Sequence, residues 1–344
     1  MKILIDGEKN FYKVNLHTHT TLSDGKFTPE QVKEMYKSRG YAAVAYTDHE
    51  ILYDHSALTD ENFVALNGYE IATNNDRSCD PLLKKQSAHF NYLAKRPDIL
   101  TQIGYNRDYD WCHTNAQKDE AEKRSIHLNY ERFHNLADFN RFTAWANESG
   151  FLVTYNHPAW SLHTAKDYAG LRGLFAVETY NAGSVYGGYE ETRAPYDDLL
   201  AELWREHEAR LNAGEKISRP APLYTVFADD MHERMFEEAG YVMVQAENLS
   251  YENLISALEK GEFYSSMRPC FYDLRVKDGV LCGKTSRVRR VSVIGAARDK
   301  ICINGTIEKF EISLGGGFER YFRVEITDEN GYIATTNAFF GALN

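Results

Sequence analysis

Long apolar runs are missing from this 344-residue chain. No stretch approaches the roughly 18 residues needed to cross a bilayer. The opening Met1-Lys2-Ile3-Leu4-Ile5-Asp6 is too short an apolar segment for a signal peptide. A cytoplasmic protein without membrane attachment is therefore expected. Cysteine is scarce: Cys79, Cys112, Cys270, Cys282 and Cys302 are five in number, widely spaced, and form no Cys-x-x-Cys pair. Neither a zinc knuckle nor a disulfide framework is suggested. Excess positive charge is also lacking, with 39 basic against 50 acidic residues and a formal net charge of −11. General affinity for a nucleic acid backbone needs the opposite sign, so nucleic acid is not an expected partner. A small anionic substrate is still compatible, because bound cations reverse the local potential. Low-complexity tracts and internal repeats are absent too. A hydrophobic content of 43% with 26% charged residues is that of a folded globular chain, long enough for one large and one small domain.

What is present begins with strand and helix signals in alternation. Lys2 to Ile5 and Phe11 to Leu16 read as a hairpin across the turn Asp6-Gly7-Glu8. Thr28-Pro29-Glu30 reads as a helix start, with Thr28 as the capping residue and Pro29 at the first helical position. Further strands are expected at 41–46, 63–66, 89–93, 151–155, 175–180, 224–228 and 242–244, and helices at 131–149, 190–213 and 250–260. Such alternation implies a parallel sheet, open or closed into a barrel. After Gly261 no amphipathic helix is evident. Short β-like runs (271–276, 288–294, 309–313, 321–326 and 333–335) predict a small antiparallel domain over residues 270–344, with Gly315-Gly316-Gly317 as a hairpin tip. Residues 104–135 read as an insertion or lid within the first domain, residues 1–267. Its His113, His127 and His134 are expected at the surface.

Nearly every expected strand of the first domain borders a residue able to bind metal. They are His17-Thr18-His19 with Ser23-Asp24-Gly25, then Asp48-His49, Glu70, His89, His157-Pro158, Glu178, and Asp229-Asp230-Met231-His232. A lone His or Asp is more often a surface group or a cap. Coincidence at six or seven successive positions is a much weaker explanation. Burying that many imidazoles and carboxylates without a cation would be costly. Mixed nitrogen and oxygen ligation suits Zn²⁺, Mn²⁺ or Fe²⁺ better than Ca²⁺.

This series resembles the motif set of the PHP (polymerase and histidinol phosphatase) phosphoesterases, in order and in approximate spacing over about residues 12–267. Supporting matches are Gly25-x-x-Thr28-Pro29-Glu30, Glu178-x-Tyr180-Asn181 and Ala257-Leu258-x-x-Gly261-x-Phe263-Tyr264-Ser265-Ser266. The resemblance implies an α/β fold, a distorted (β/α)7 barrel, followed here by the small β domain. It also implies two or three divalent metal ions. One would be held by His17, His19, Glu70 and Asp230, and a second by Glu70 with His89 and His157. The third would be held by Asp24, His49 and His232. Asp230 is preferred to Asp229 because the family pattern places one residue between Asp and His. Asp48 would orient a ligand through hydrogen bonds, and Glu178 and Asn181 would support the site. Where the family often has Gly-Pro after the Tyr-x-Ser run, this chain has Met267-Arg268-Pro269, which makes Arg268 a candidate for gripping a substrate phosphate.

The implied activity is hydrolysis of a small phosphomonoester or nucleotide phosphate by a hydroxide shared between two metals, with Asp230 or His232 serving the leaving group. Histidinol phosphate, or nuclease action of the same family type, would use the same ligands. A non-catalytic scaffold stabilised by its metals is the competing class. The β domain carries no recognisable site and would cap the barrel or join copies of the chain into a homo-oligomer.

Overall fold

The structure is a computed structural model that describes residues 1–296 and 299–343. The chain opens with β1 (Lys2–Ile5), β2 (Asn10–Asn15), α1 (Pro29–Lys37), β3 (Ala43–Tyr46), β4 (Val64–Asn74) and β5 (Ser87–Ala94). Next come β6 (Gln102–Ile103), α2 (Asn115–Lys123), β7 (Ser125–Ile126), α3 (Leu136–Glu148) and β8 (Phe151–Tyr155). They are followed by α4 (Ala165–Tyr168), β9 (Ala176–Asn181), α5 (Ala182–Tyr186), α6 (Ala194–Asn212) and β10 (Tyr224–Ala228). β11 (Tyr241–Ala246), α7 (Tyr251–Lys260) and β12 (Phe263–Ser266) lead to the last strands. Those are β13 (Phe271–Lys277), β14 (Val280–Gly295), β15 (Lys300–Ser313), β16 (Tyr321–Thr327), β17 (Ile333–Thr336) and β18 (Phe339–Phe340).

Local chemistry sets the helix ends. Thr28 caps α1 through a reciprocal pair of bonds with Gln31, and Pro29 sits in the first turn as the sequence predicts. Ser250 caps α7, which Gly261 terminates at φ 71°. A side chain on Gly261 would also run into the Tyr224 ring. No helix is long and apolar enough to cross a membrane among the described residues.

One large mixed sheet organises the molecule, in the order β1-β13-β14-β16-β17-β12-β11-β2-β3-β4-β5-β8-β9-β10. β2, β3 and β4 are parallel neighbours, as are β8, β9 and β10. Between these two sets β5 runs antiparallel to both β4 and β8. The expected all-parallel alternation is thus broken at β5. The connection from β4 to β5, residues 75–86, holds one short 3₁₀ turn rather than a crossover helix, and a short connection favours the antiparallel return. The sheet curls, and inward side chains from β2, β3, β4, β5, β8, β9, β10 and β11 meet in one apolar cluster that α7 joins. No ladder joins β10 to β2 among the described residues. Beyond their ends the two segments meet at an isolated Thr18–Met231 bridge, with His19 N–H donating to the Met231 carbonyl at 2.9 Å and Asp230 N–H to the His17 carbonyl at 3.0 Å. No closed, hydrogen-bonded barrel is thus present among the described residues.

Two further expectations are corrected. β1 and β2 do not make a hairpin: β1 pairs with β13, whereas β2 lies between β11 and β3. Each finds apolar neighbours elsewhere, with Ile5 buried in the C-terminal cluster and Val14 in the cluster of the curled sheet. Gly315-Gly316-Gly317 is not a hairpin tip either. It leads through a 3₁₀ turn from β15 to β16, and both of these pair with β14 instead of each other. From β12 onward every pairing is antiparallel. Beyond α7 no α-helix occurs among the described residues.

Candidate metal centre

All nine predicted ligands converge at one rim of the curled sheet. His17 and His19 follow β2, His49 follows β3, Glu70 lies within β4, His157 follows β8, and Asp230 and His232 follow β10. His89 lies near the start of β5 rather than its end. Because β5 runs opposite to its neighbours, its start reaches the same rim: His89 sits in register with Ala72, two residues beyond Glu70.

Glu70 is the centre of the cluster and is fully buried. Its Oε1 lies 3.4 Å from His17 Nε2, 3.2 Å from His89 Nδ1 and 3.3 Å from His157 Nε2. Its Oε2 lies 3.4 Å from His19 Nε2 and 3.1 Å from His49 Nδ1. One carboxylate therefore faces five imidazoles. Asp230 Oδ1 is 3.2 Å from both His17 Nε2 and His19 Nε2. Asp24 is 3.3 Å from His232, 3.7 Å from His19 and 3.8 Å from His49. Grouped by mutual reach, the ligands fall into His17-His19-Glu70, His17-His157-Asp230, His49-Glu70-His89 and His19-Asp24-His49-His232. The resemblance implied a somewhat different division. Here His19 also stands with Asp24, His49 and His232, and His157 also stands with His17 and Asp230.

The surrounding residues fix the orientation of these donors. Glu178 Oε1 is 2.7 Å from His17 Nδ1, and its Oε2 accepts the His157 backbone N–H at 3.0 Å. Asn181 donates to Glu178 at 2.9 Å and to Asp230 at 3.2 Å. Asp48 accepts the Thr20 backbone N–H and the Thr20 and Ser23 hydroxyls, which holds the loop bearing His19 and Asp24. Gly25 lets that loop fold back, since a side chain there would meet the His19 carbonyl. His157 and Asp230 adopt φ of 27° and 52°, left-handed values uncommon for such residues and found where structure holds a side chain for a purpose. Asp229 turns away. Its carboxylate accepts from Tyr36 and from the backbone N–H groups of Glu238, Ala239 and Gly240.

The donor set fits divalent cations. His17 Nδ1 against Glu178, and His232 Nδ1 against the Asp230 carbonyl at 3.0 Å, form the pattern in which a ligating imidazole donates from one nitrogen and offers the other's lone pair. His17 Nε2 and His19 Nε2 then face each other at 3.1 Å. His89 Nδ1 and Asp230 Oδ1 are buried without a hydrogen-bond partner, a cost of roughly 1–3 kcal/mol each that ligation would remove. Charge is already unevenly shared in the cluster. Burial, together with His232 and His49, pushes His19 down to about 4. Burial opposes charge on His232, but its bond to Asp24 and the nearby Asp230 raise it to about 9. Burial also opposes ionisation of Glu70, yet His89 and His17 hold its carboxyl well below the usual range.

A cavity of about 630 Å³ opens onto these ligands. Its wall includes Lys84 and Lys85, from the β4–β5 connection, and Tyr109, Trp111 and Trp160. Arg268 is not among the lining residues: it is exposed, with its guanidinium 4.2 Å from the Tyr332 ring. The phosphate grip expected at Arg268 finds no support in this arrangement, in which the guanidinium packs on the Tyr332 ring. His113 is not a surface residue but buried, with Nδ1 2.7 Å from Asp110. His134 is half-buried against the Thr73 carbonyl at 2.7 Å, and His127 alone of the three is exposed, stacked on Trp145. The Arg132–Glu50 ion pair at 2.6 Å, buried on both sides, was not signalled by any spacing, because 82 residues separate its partners. Nor were the two tryptophans: a lone Trp in a polar segment carries no pattern.

No family model matches the chain, and no curated protein does. Among solved structures it is similar to a two-domain protein from Bacteroides vulgatus ATCC 8482 containing a predicted PHP-like metal-dependent phosphoesterase. That match has 13% identity over 98% of each chain and a TM-score of 0.41. A protein from Bifidobacterium adolescentis ATCC 15703, proposed to be a metal-dependent phosphoesterase, is 16% identical over 73% of this chain and 96% of its own, with a TM-score of 0.38. An amidohydrolase from Chromobacterium violaceum is 17% identical over 64% of this chain and 87% of its own, with a TM-score of 0.35. At these scores the likenesses carry no argument about chemistry, which rests on the side chains themselves.

Proposed function

We propose that this chain is a metal-dependent hydrolase of phosphate esters, acting on a small phosphomonoester or a nucleotide phosphate. The observation that carries the reading is Glu70, one buried carboxylate facing five imidazoles at the floor of an open cavity. Structural metal sites are closed, whereas catalytic ones keep a position open, and this cluster borders solvent-accessible space. His17, His19, Glu70, Asp230, His89, His157, Asp24, His49 and His232 would hold two or three divalent ions, with Zn, Mn and Fe the candidates. When bound, such ions lower the pKa of water and offset the charge that develops on phosphoryl oxygens.

The protein's own groups supply position and proton traffic. Hydrolysis joins the water oxygen to phosphorus, breaks the bond to the leaving oxygen, and passes one proton of the water to the departing alkoxide. We assign the transfer of that proton to Asp230, which lines the cavity beside the other ligands. His232 is engaged at both nitrogens, with Nδ1 at the Asp230 carbonyl and Nε2 towards Asp24, which suits a ligand better than a proton source. Glu178 and Asn181 hold His17 and Asp230 in place. The test is elemental analysis of the purified protein with hydrolysis of an aryl phosphate followed on the same sample. Two or three metals per chain and turnover lost on chelation are expected. A protein that binds no metal would overturn the reading.

A further inference from the structure

Two of the chain's four tryptophans stand at the mouth of the metal site with their indoles uncovered. Trp111 is 66% exposed and lies 5.7 Å, ring to ring, from His49. Trp160 is 37% exposed and lies 5.0 Å from His89 and 4.9 Å from His157. The two thus border different members of the ligand cluster. The other two are spent on packing, Trp145 stacked on His127 and Trp204 on Phe340.

The backbones that carry Trp111 and Trp160 are held firmly, although the rings are not covered. Glu191, buried, accepts the backbone N–H groups of Ala159 at 3.0 Å and Trp160 at 3.1 Å. Beside Trp111, buried Asp110 accepts the Tyr105 hydroxyl at 2.7 Å and the His113 backbone N–H at 3.2 Å. Arg132 pins the same segment, reaching the Gly104 carbonyl as well as Glu50, which follows the ligand His49. A large apolar ring kept in water on a fixed support, beside a cavity of ligand size, is what a binding wall looks like before its ligand arrives.

We propose that Trp111 and Trp160 receive a planar aromatic group on the leaving alcohol, so that the preferred substrates are nucleoside or aryl phosphates. The proposal rests on the phosphoesterase reading and narrows it. Indole faces stack on any flat π system, and the cavity has room for such a group above a phosphate held at its floor. An aliphatic ester would leave both rings in water.

The experiment compares kcat/KM for adenosine 5′-monophosphate, benzyl phosphate and glycerol 3-phosphate in the wild type, Trp111→Ala, Trp160→Ala and Trp111→Phe. The wild type is expected to favour at least one aromatic ester over glycerol 3-phosphate by about tenfold, the scale of one base–indole stack. Either Ala variant should reduce that ratio about tenfold, mainly through KM, and Trp111→Phe should keep most of it. Preference for the nucleotide alone identifies a nucleoside phosphate, and preference for benzyl phosphate an arylalkyl one. Equal rates for all three, or Ala variants that lower all three in proportion, would overturn the proposal. Should no ester be hydrolysed, the phosphoesterase reading fails, and quenching of tryptophan fluorescence decides the present one. Quenching by adenosine 5′-monophosphate or benzyl phosphate but not by glycerol 3-phosphate, weakened in the Ala variants, keeps the aromatic seat. Its absence removes the seat as well.

Discussion

The rim of the curled sheet and the antiparallel strands after β12 share one continuous sheet, yet they bury opposite kinds of side chain. At the rim, six imidazoles and three carboxylates occupy the space where strands end. In the later strands the buried groups are mainly Val, Ile, Leu and Phe, contributed by β13, β14, β15, β16 and β17. All twelve histidines of the chain lie at or before residue 232, and none lies in the strands after β12. An apolar core stabilises by removing surface from water. A cluster of ionisable groups lowers stability until something balances its charge. The two regions should therefore respond to substitution in opposite ways: one in chemistry, the other in stability.

The sharpest dissociation pairs Glu70→Gln with Phe322→Ala. Glu70→Gln keeps the size of the side chain, and its amide oxygen can still accept from Asn156, but it removes the charge facing five imidazoles. Turnover of an aryl phosphate is expected to fall roughly a thousandfold, the scale of losing a key electrostatic group, with the fold intact by circular dichroism. Phe322 is completely buried in the C-terminal cluster. Its truncation should cost about 3–5 kcal/mol in urea unfolding and leave the metal-to-protein ratio unchanged. If Phe322→Ala loses metal, or if Glu70→Gln unfolds the chain, the division of labour between the two regions is wrong.

Their buried ion pairs extend the comparison. Arg132 and Glu50 are 1% and 2% exposed, whereas Arg323 reaches back from β16 to Asp197 of α6, which is 41% exposed. Arg132→Met leaves an uncompensated carboxylate that is only 2% exposed and should cost about 3–5 kcal/mol. Arg323→Met leaves an aspartate that can hydrate, and about 1 kcal/mol is expected. Unfolding curves for both variants test the ranking, and adding Glu50→Gln to Arg132→Met should recover part of the loss. Equal costs would mean that burial of the partner does not decide the matter.

The same contrast explains how much the sequence could reveal. The nine ligand positions were legible because each is a His, Asp or Glu beside a short strand signal, and the coincidence repeated around the sheet. Asp230 could be preferred over Asp229 on motif spacing alone, and the two side chains do point in different directions. The direction of β5 was harder. His89-Phe90-Asn91-Tyr92-Leu93 reads as a strand either way, and only the missing helix between residues 75 and 86 hints at the antiparallel return. The β1–β2 hairpin was a local inference overturned by distant partners, since Asp6-Gly7-Glu8 permits a tight turn without requiring one. Arg268 was placed in the site by a motif departure, but the ring that holds it, Tyr332, lies 64 residues away. Arg132, Trp111 and Trp160 depend on contacts that leave no period in the sequence.

Acid should separate the two regions by the smallest margin. His55 lies outside the ligand set, 5% exposed, and is stacked on Tyr46 with ring centres 4.3 Å apart. Burial pushes it down from 6.5 to about 4, with Asp54 and Glu30 pulling weakly the other way. In the unfolded chain His55 gains its proton as the pH falls through about 6.5, whereas the folded chain resists until about 4. Its contribution is thus fully present above 6.5 and is lost progressively between 6.5 and 4. The shift corresponds to at most roughly 3 kcal/mol. His55→Phe keeps a ring against Tyr46 and removes the titration. Unfolding free energies of wild type and variant, measured from pH 7 to pH 4, should therefore change in the variant's favour as the pH drops. The later strands hold no histidine, and a substitution such as Phe322→Ala removes no titrating group, so it should leave the slope untouched. A wild type and His55→Phe that fall in parallel would show that His55 does not carry the acid sensitivity of the first region.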